Sequence, residues 1–91
     1  MKRRVSFKVR GRVQGVAFRA CARDQAERLG VVGFIRNLDD GTVAGEVEGD
    51  ASAVDAFLAW CKQGPPGARV DDLSTVDATF RGLSKRFEIR T

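Results

Sequence analysis

The chain predicts an α+β sandwich, in which an antiparallel sheet carries two helices on one face. Three observations lead there. Short runs alternate apolar with polar residues at period 2, two other stretches carry apolar residues at helical spacing, and glycine-rich breaks separate them. The order reads strand, helix, strand, strand, helix, strand, with the last strand region either one extended element or two. At 91 residues the chain is one domain, residues 1–91. Folding a chain of this size buries about 64% of its surface, enough for a core without covalent staples.

Each element has its own signal. Val5, Phe7 and Val9 alternate with Ser6, Lys8 and Arg10, which makes a strand with one buried face. Gly11 to Gly15 breaks it. From about Ala20 to Leu29, Ala22, Ala26 and Leu29 recur at helical spacing, joined by Phe18, and Gly30 ends the helix because it tolerates positive φ. Val31 to Asn37 is a second strand, in which Gly33 and Ile35 share the parity of Asn37. Asp40-Gly41 signals a hairpin into a third strand built on Val43, Gly45 and Val47. Asp50 or Ser52 offers a side-chain oxygen to cap a second helix, whose apolar stripe is Val54, Phe57, Leu58 and Cys61. Gly64-Pro65-Pro66-Gly67 stops it. Val70 to Thr79 is a fourth strand with a bulge expected near Asp72-Leu73. Gly82 falls in a turn, and Phe87 and Ile89 face inward from the last strand. Two split β-α-β units in this order make a ferredoxin-like sandwich, its far sheet face at least partly wet.

Composition narrows the chemistry. The chain has no histidine, which removes imidazole acid–base catalysis, histidine-activated nucleophiles and most transition-metal sites. Cys21 and Cys61 are too few for a disulfide framework and too far apart for a zinc motif. They read as small buried thiols, although antiparallel helices could bring them to the same end of the helical layer. No apolar run approaches the ~20 residues of a membrane helix, and the basic start, Met1 to Arg4, leads into an alternating strand instead of a signal-peptide core. A cytoplasmic protein is expected.

Charge is uneven. Residues 1–36 carry ten basic and two acidic side chains, a net +8, while residues 37–91 carry six and ten, a net −4. An electropositive first third attracts anions, from nucleic acid to small phosphorylated metabolites, or is a solvated surface. Within it, the segment Gly11-Arg-Val-Gln-Gly-Val-Ala-Phe-Arg19 lies between strand and helix. Gly15 permits an unusual turn, after which several N–H groups can point into one concavity at a helix N-terminus, with the Arg19 fork beside them. No Gly-Lys-Ser/Thr follows, so this is not a Walker A loop. Asn37, the only asparagine, ends the second strand. Its amide both donates and accepts, so it either orients a water or starts the Asp39-Asp40-Gly41 turn through its own backbone.

With these residues in view, the chain resembles an acylphosphatase over essentially its whole length. The resemblance is carried by Gly11–Arg19, by Gly33-Phe-Ile-Arg-Asn37 with Gly41-Thr-Val43, and by Leu29-Gly30, Gly64-Pro65-Pro66 and Phe87-Glu-Ile-Arg90. Phe34 and Ile35 stand where the family often has tryptophan and valine, and Leu38 where some relatives carry a hydroxyl. The resemblance implies the same sandwich and hydrolysis of the carboxyl-phosphate bond of acyl phosphates, without metal or cofactor. It implies that Gln14, Gly15, Val16, Ala17, Phe18 and Arg19 bind the phosphoryl group, that Arg19 is the essential cation, and that Asn37 positions the attacking water. The partners expected are an acyl phosphate substrate and inorganic phosphate as product and inhibitor. Neither nucleic acid nor a membrane is expected, and the chain is expected to act as a monomer.

Rival readings fit less well. The same sandwich hosts RNA-recognition modules, but the third strand, Thr42 to Gly49, has no aromatic residue and two glutamates. A carbamoyl-phosphate-handling relative is less consistent with a chain that carries both Arg19 and Asn37. Trp60 reads as packing, Asp71-Asp72 as a solvated or bulged strand, and Glu46 and Glu48 as lining for one sheet face.

Overall fold

The computed structural model describes residues 1–91. Its elements run β1 (Lys2–Arg12), α1 (Phe18–Leu29), β2 (Val32–Asn37), β3 (Val43–Asp50), α2 (Ala51–Gln63), β4 (Arg69–Ala78) and β5 (Phe87–Arg90). The sheet order is β4-β1-β3-β2-β5. Pairing follows the alternation in the sequence: Val5 lies opposite Val47, Phe7 opposite Gly45 and Val9 opposite Val43. These side chains point to the helical face and meet Phe18, Ala22 and Ala26 of α1 and Val54, Phe57 and Cys61 of α2 in one buried core. Phe7, Phe57 and Phe87 form a chain of aromatic contacts through it, with ring centroids 5.6 and 5.3 Å apart.

Several expectations need correction. Of the two readings of the last region, that of two separate strands, β4 and β5, holds, but the sheet is mixed and not wholly antiparallel: the four strands β4, β1, β3 and β2 are antiparallel, whereas β5 runs parallel to β2. The reason is directional. β4 runs against β1 while β2 runs with it, so a chain that leaves β4, crosses the sheet and turns back must enter the far edge parallel to β2. The irregular step in β4 lies between Val70 and Asp72, opposite Arg10 and Gly11, which leaves Asp71 as the extra residue one position before the expected bulge. Asp50 occupies the N-cap of α2 but makes no side-chain capping bond. Its carboxylate is paired with Lys2 at 2.9 Å, and the Ala51 N–H is satisfied by the Met1 carbonyl instead.

The far face of the sheet is only partly wet. Residues 79–86 cross it on the way from β4 to β5, and beneath them Arg4 and Glu48 are buried, 5% and 2% exposed. Glu48 therefore does more than line a face. It accepts from the Arg4 guanidinium at 3.2 Å and from the Arg81 and Gly82 N–H groups at 2.7 and 3.1 Å. Burial opposes its charge, but these donors and Arg4 prevail and hold the carboxyl below its usual range. Gly82 is held there with φ +68° within an irregular stretch.

Candidate active site

At the opposite end of the sheet, the ends of β1, β2 and β5 meet the start of α1. Their side chains line a cleft of about 190 Å³ formed by Val13, Gly15, Ala17, Phe18, Arg19, Ala20, Asn37 and Ile89. Backbone conformation shapes its floor. Gly15 has φ +76°, and a Cβ there would meet nothing within 4 Å, so it is the left-handed backbone and not space that demands glycine. Ala17 caps α1 at φ +61°, a left-handed residue whose strain costs on the order of 1–2 kcal/mol. The sequence gives no sign of this second turn, because alanine is not a residue that favours it.

The consequence is a run of free donors. None of the N–H groups from Gly15 to Ala20 donates to another backbone group or to a side chain, and the first helical bond of α1 is Cys21 N–H to the Ala17 carbonyl. Six successive amides thus stand at a helix N-terminus, where the helix dipole adds positive potential. Arg19 is half-buried and has no carboxylate partner. Its side chain is steadied by donation to the Arg90 carbonyl at 3.3 Å, which leaves most of its fork free. Such a set of donors is complementary to a tetrahedral oxyanion.

Asn37 closes the cleft from the end of β2 with an amide that bonds no protein group. The turn after it is built by a different residue. Asp40 accepts from the Thr42 N–H at 3.0 Å and from the Thr42 hydroxyl at 2.6 Å, and it pairs with Lys8 at 3.3 Å. The two bonds from Thr42, aided by Lys8, lower the Asp40 pKa to about 2. Of the two roles open to Asn37 in the sequence, turn initiation is therefore taken by Asp40.

Gly15, Ala17, Phe18, Arg19 and Asn37 thus share one cleft, whereas Gln14 and Val16 do not line it. Gln14 instead turns its amide to the carbonyls of Leu38 and Thr42. Phe18 is buried and packs against Trp60 with ring centroids 5.3 Å apart, which anchors the start of α1 and gives Trp60 its packing role. Cys61 is buried in the core, which pushes its thiol pKa up, but Cys21 is only half-buried; both are free thiols.

The cleft holds no carboxylate or thiol, and no three His, Cys, Asp or Glu side chains cluster as metal ligands. A larger hollow of about 700 Å³ lies under residues 79–86, but its cations are largely committed: Arg4 pairs with Glu46 and Glu48, and Arg86 and Arg90 share Glu88.

The chain is similar to known proteins over nearly its whole length. The Acylphosphatase family profile matches residues 5–89. An acylphosphatase of Anaeromyxobacter dehalogenans is 52% identical over 96% of this chain and 94% of its own length. One from Rubrobacter xylanophilus is 49% identical over 97% of this chain and 80% of its own. The crystal structure of acylphosphatase from Bacillus subtilis superposes with a TM-score of 0.94 at 33% identity, covering 100% of both chains.

Proposed function

The chain belongs to the acylphosphatase family, and from that premise we propose that it hydrolyses acyl phosphates to a carboxylate and inorganic phosphate by metal-independent, in-line attack of water. The observation that carries this reading is the meeting of Arg19, the free N–H groups of Gly15 to Ala20 and the unpaired amide of Asn37 in one cleft. The N–H groups and Arg19 hold the phosphoryl oxygens and neutralise the charge that develops on them. The amide of Asn37 orients a water opposite the leaving group, which supplies the positioning part of the rate. The leaving carboxylate is a weak base and needs no general acid, so a site without histidine suffices. A phosphate oxygen of the substrate takes the proton of the attacking water. Alkyl phosphate monoesters, with far more basic leaving groups, are poor substrates on this account.

Donors and cations offer nothing to a metal ion, which supports catalysis without one. The cleft is complete within one chain, in keeping with a monomer. The two free thiols suit a reducing, cytoplasmic location, and no helix is long and apolar enough to cross a membrane.

The test is hydrolysis of benzoyl phosphate in excess chelator. Activity should persist, with inorganic phosphate a competitive inhibitor. In the Asn37→Ala variant kcat should fall by on the order of 10²-fold while the phosphate inhibition constant changes little. Loss of activity in chelator with recovery on adding Mg²⁺, or normal turnover in Asn37→Ala, would overturn the mechanism.

A further inference from the structure

Gln14 sits one residue before the left-handed turn of the loop, yet its side chain reaches across to the β2–β3 connection. Its Nε2 donates to the Leu38 carbonyl at 2.8 Å and to the Thr42 carbonyl at 2.9 Å. Those two carbonyls also accept from Gly41 N–H and Leu38 N–H. Both amide hydrogens of Gln14 are thereby used on the turn that begins directly after Asn37. We propose that Gln14 is a positioning residue, which sets the distance and orientation between the phosphate-binding loop and Asn37 by bonding the loop to the Leu38–Thr42 turn. The proposal rests on the acylphosphatase reading above.

The chemistry of the side chain fits the task closely. Two carbonyl oxygens facing one point need two hydrogens from a single atom, and a primary amide supplies them, whereas a carboxylate or hydroxyl does not. Asparagine is one methylene shorter and would not span the gap. The turn itself is made rigid by Asp40, Thr42 and Lys8, so the bond from Gln14 fixes the loop to a stiff partner. Without it, each half of the site keeps its own groups, but the water held by Asn37 is no longer aligned with the phosphorus.

The test compares the native chain with Gln14→Leu and Gln14→Glu, measuring kcat on benzoyl phosphate, inhibition by inorganic phosphate and the folded fraction by circular dichroism, from about pH 5 to 8. In Gln14→Leu, kcat per folded molecule should fall about 10- to 10²-fold, with the phosphate inhibition constant held within about threefold. In Gln14→Glu the ionised carboxylate repels both carbonyls at the upper end of the range. Protonation restores one bond, so its kcat relative to the native chain should rise as pH falls. The charged pair facing the turn is Asp40 and Lys8, and Asp40, with its carboxyl pKa lowered to about 2 by its bonds from Thr42, stays ionised across this range.

An unchanged kcat in Gln14→Leu, a phosphate inhibition constant that rises in step with the loss of kcat, or a Gln14→Glu profile parallel to the native one would each overturn the assignment. If Gln14→Leu does not fold, the Gln14→Glu profile decides. A native chain inactive on benzoyl phosphate would remove the underlying reading and this role with it. An active native chain matched by its Gln14 variants would remove this role alone.

Discussion

Two regions of this molecule gather an arginine and backbone N–H groups around the place of an anion. Under residues 79–86, Arg4 and the N–H groups of Arg81 and Gly82 surround the carboxylate of Glu48. In the cleft, Arg19 stands beside the N–H groups of Gly15 to Ala20, and the chain supplies no anion of its own. The first assembly is closed on itself, buried, and ties the crossing segment to the sheet. The second has the same donor chemistry at a helix N-terminus with no acceptor from the chain, and on the proposed function a ligand supplies it. On that reading, what separates a structural assembly from a binding one here is who provides the negative charge.

The largest effect expected from breaking either assembly is at Arg19. Arg19→Lys keeps the charge but loses the planar fork, and kcat/KM for benzoyl phosphate should fall by about 10²–10³-fold with stability little changed. Near-native kinetics would reduce Arg19 to general electrostatics and erase the distinction. At the closed assembly the response should be the opposite. Glu48→Gln leaves buried Arg4 without its most buried partner and should cost about 3 kcal/mol in denaturant unfolding, while kcat of the folded protein stays native. A loss of kcat at full folding would show that the two regions are coupled.

A smaller effect sharpens the same contrast through pH. Glu48 and Asp40 both have carboxyl pKa values lowered in the folded chain, from ordinary values of 4.5 and 3.8, that of Asp40 to about 2. Their contribution to stability is complete above those ordinary values and is lost as pH falls through the lowered ones. Unfolding midpoints should therefore hold steady from neutral pH down to about 5 and decline toward pH 2. Glu48→Gln should decline less steeply. An equal slope in the two proteins would mean that Glu48 is not held by its donors as described.

Much of the architecture is legible in the residues because one physical signal carries it. Period-2 burial in Val5, Phe7 and Val9, helical spacing in Ala22 and Ala26, and the Gly30 stop all report the local environment directly. The cleft is legible in part for the same reason, since Gly15 signals its turn and Arg19 and Asn37 stand at element ends. What the sequence hides are bonds between distant segments. Glu48 looks like any outward residue of β3 until the chain 33 residues later brings its N–H groups back. Gln14 looks like a loop residue until its partners 24 and 28 residues on come into range. Ala17 carries no mark of its left-handed backbone, and Asp50 has the right side chain for a cap but a nearby lysine claims it.

The contrast between the two assemblies is tested most directly by adding inorganic phosphate to the ¹⁵N-labelled chain and following every backbone amide by NMR. The open assembly should answer: resonances of Gly15 to Ala20 shift together and saturate with a single affinity, while those of Arg81 and Gly82, already bound to Glu48, stay where they are. Phosphate that shifts Arg81, Gly82 or Lys85 and leaves Gly15 to Ala20 unmoved at saturation would contradict the account at its centre.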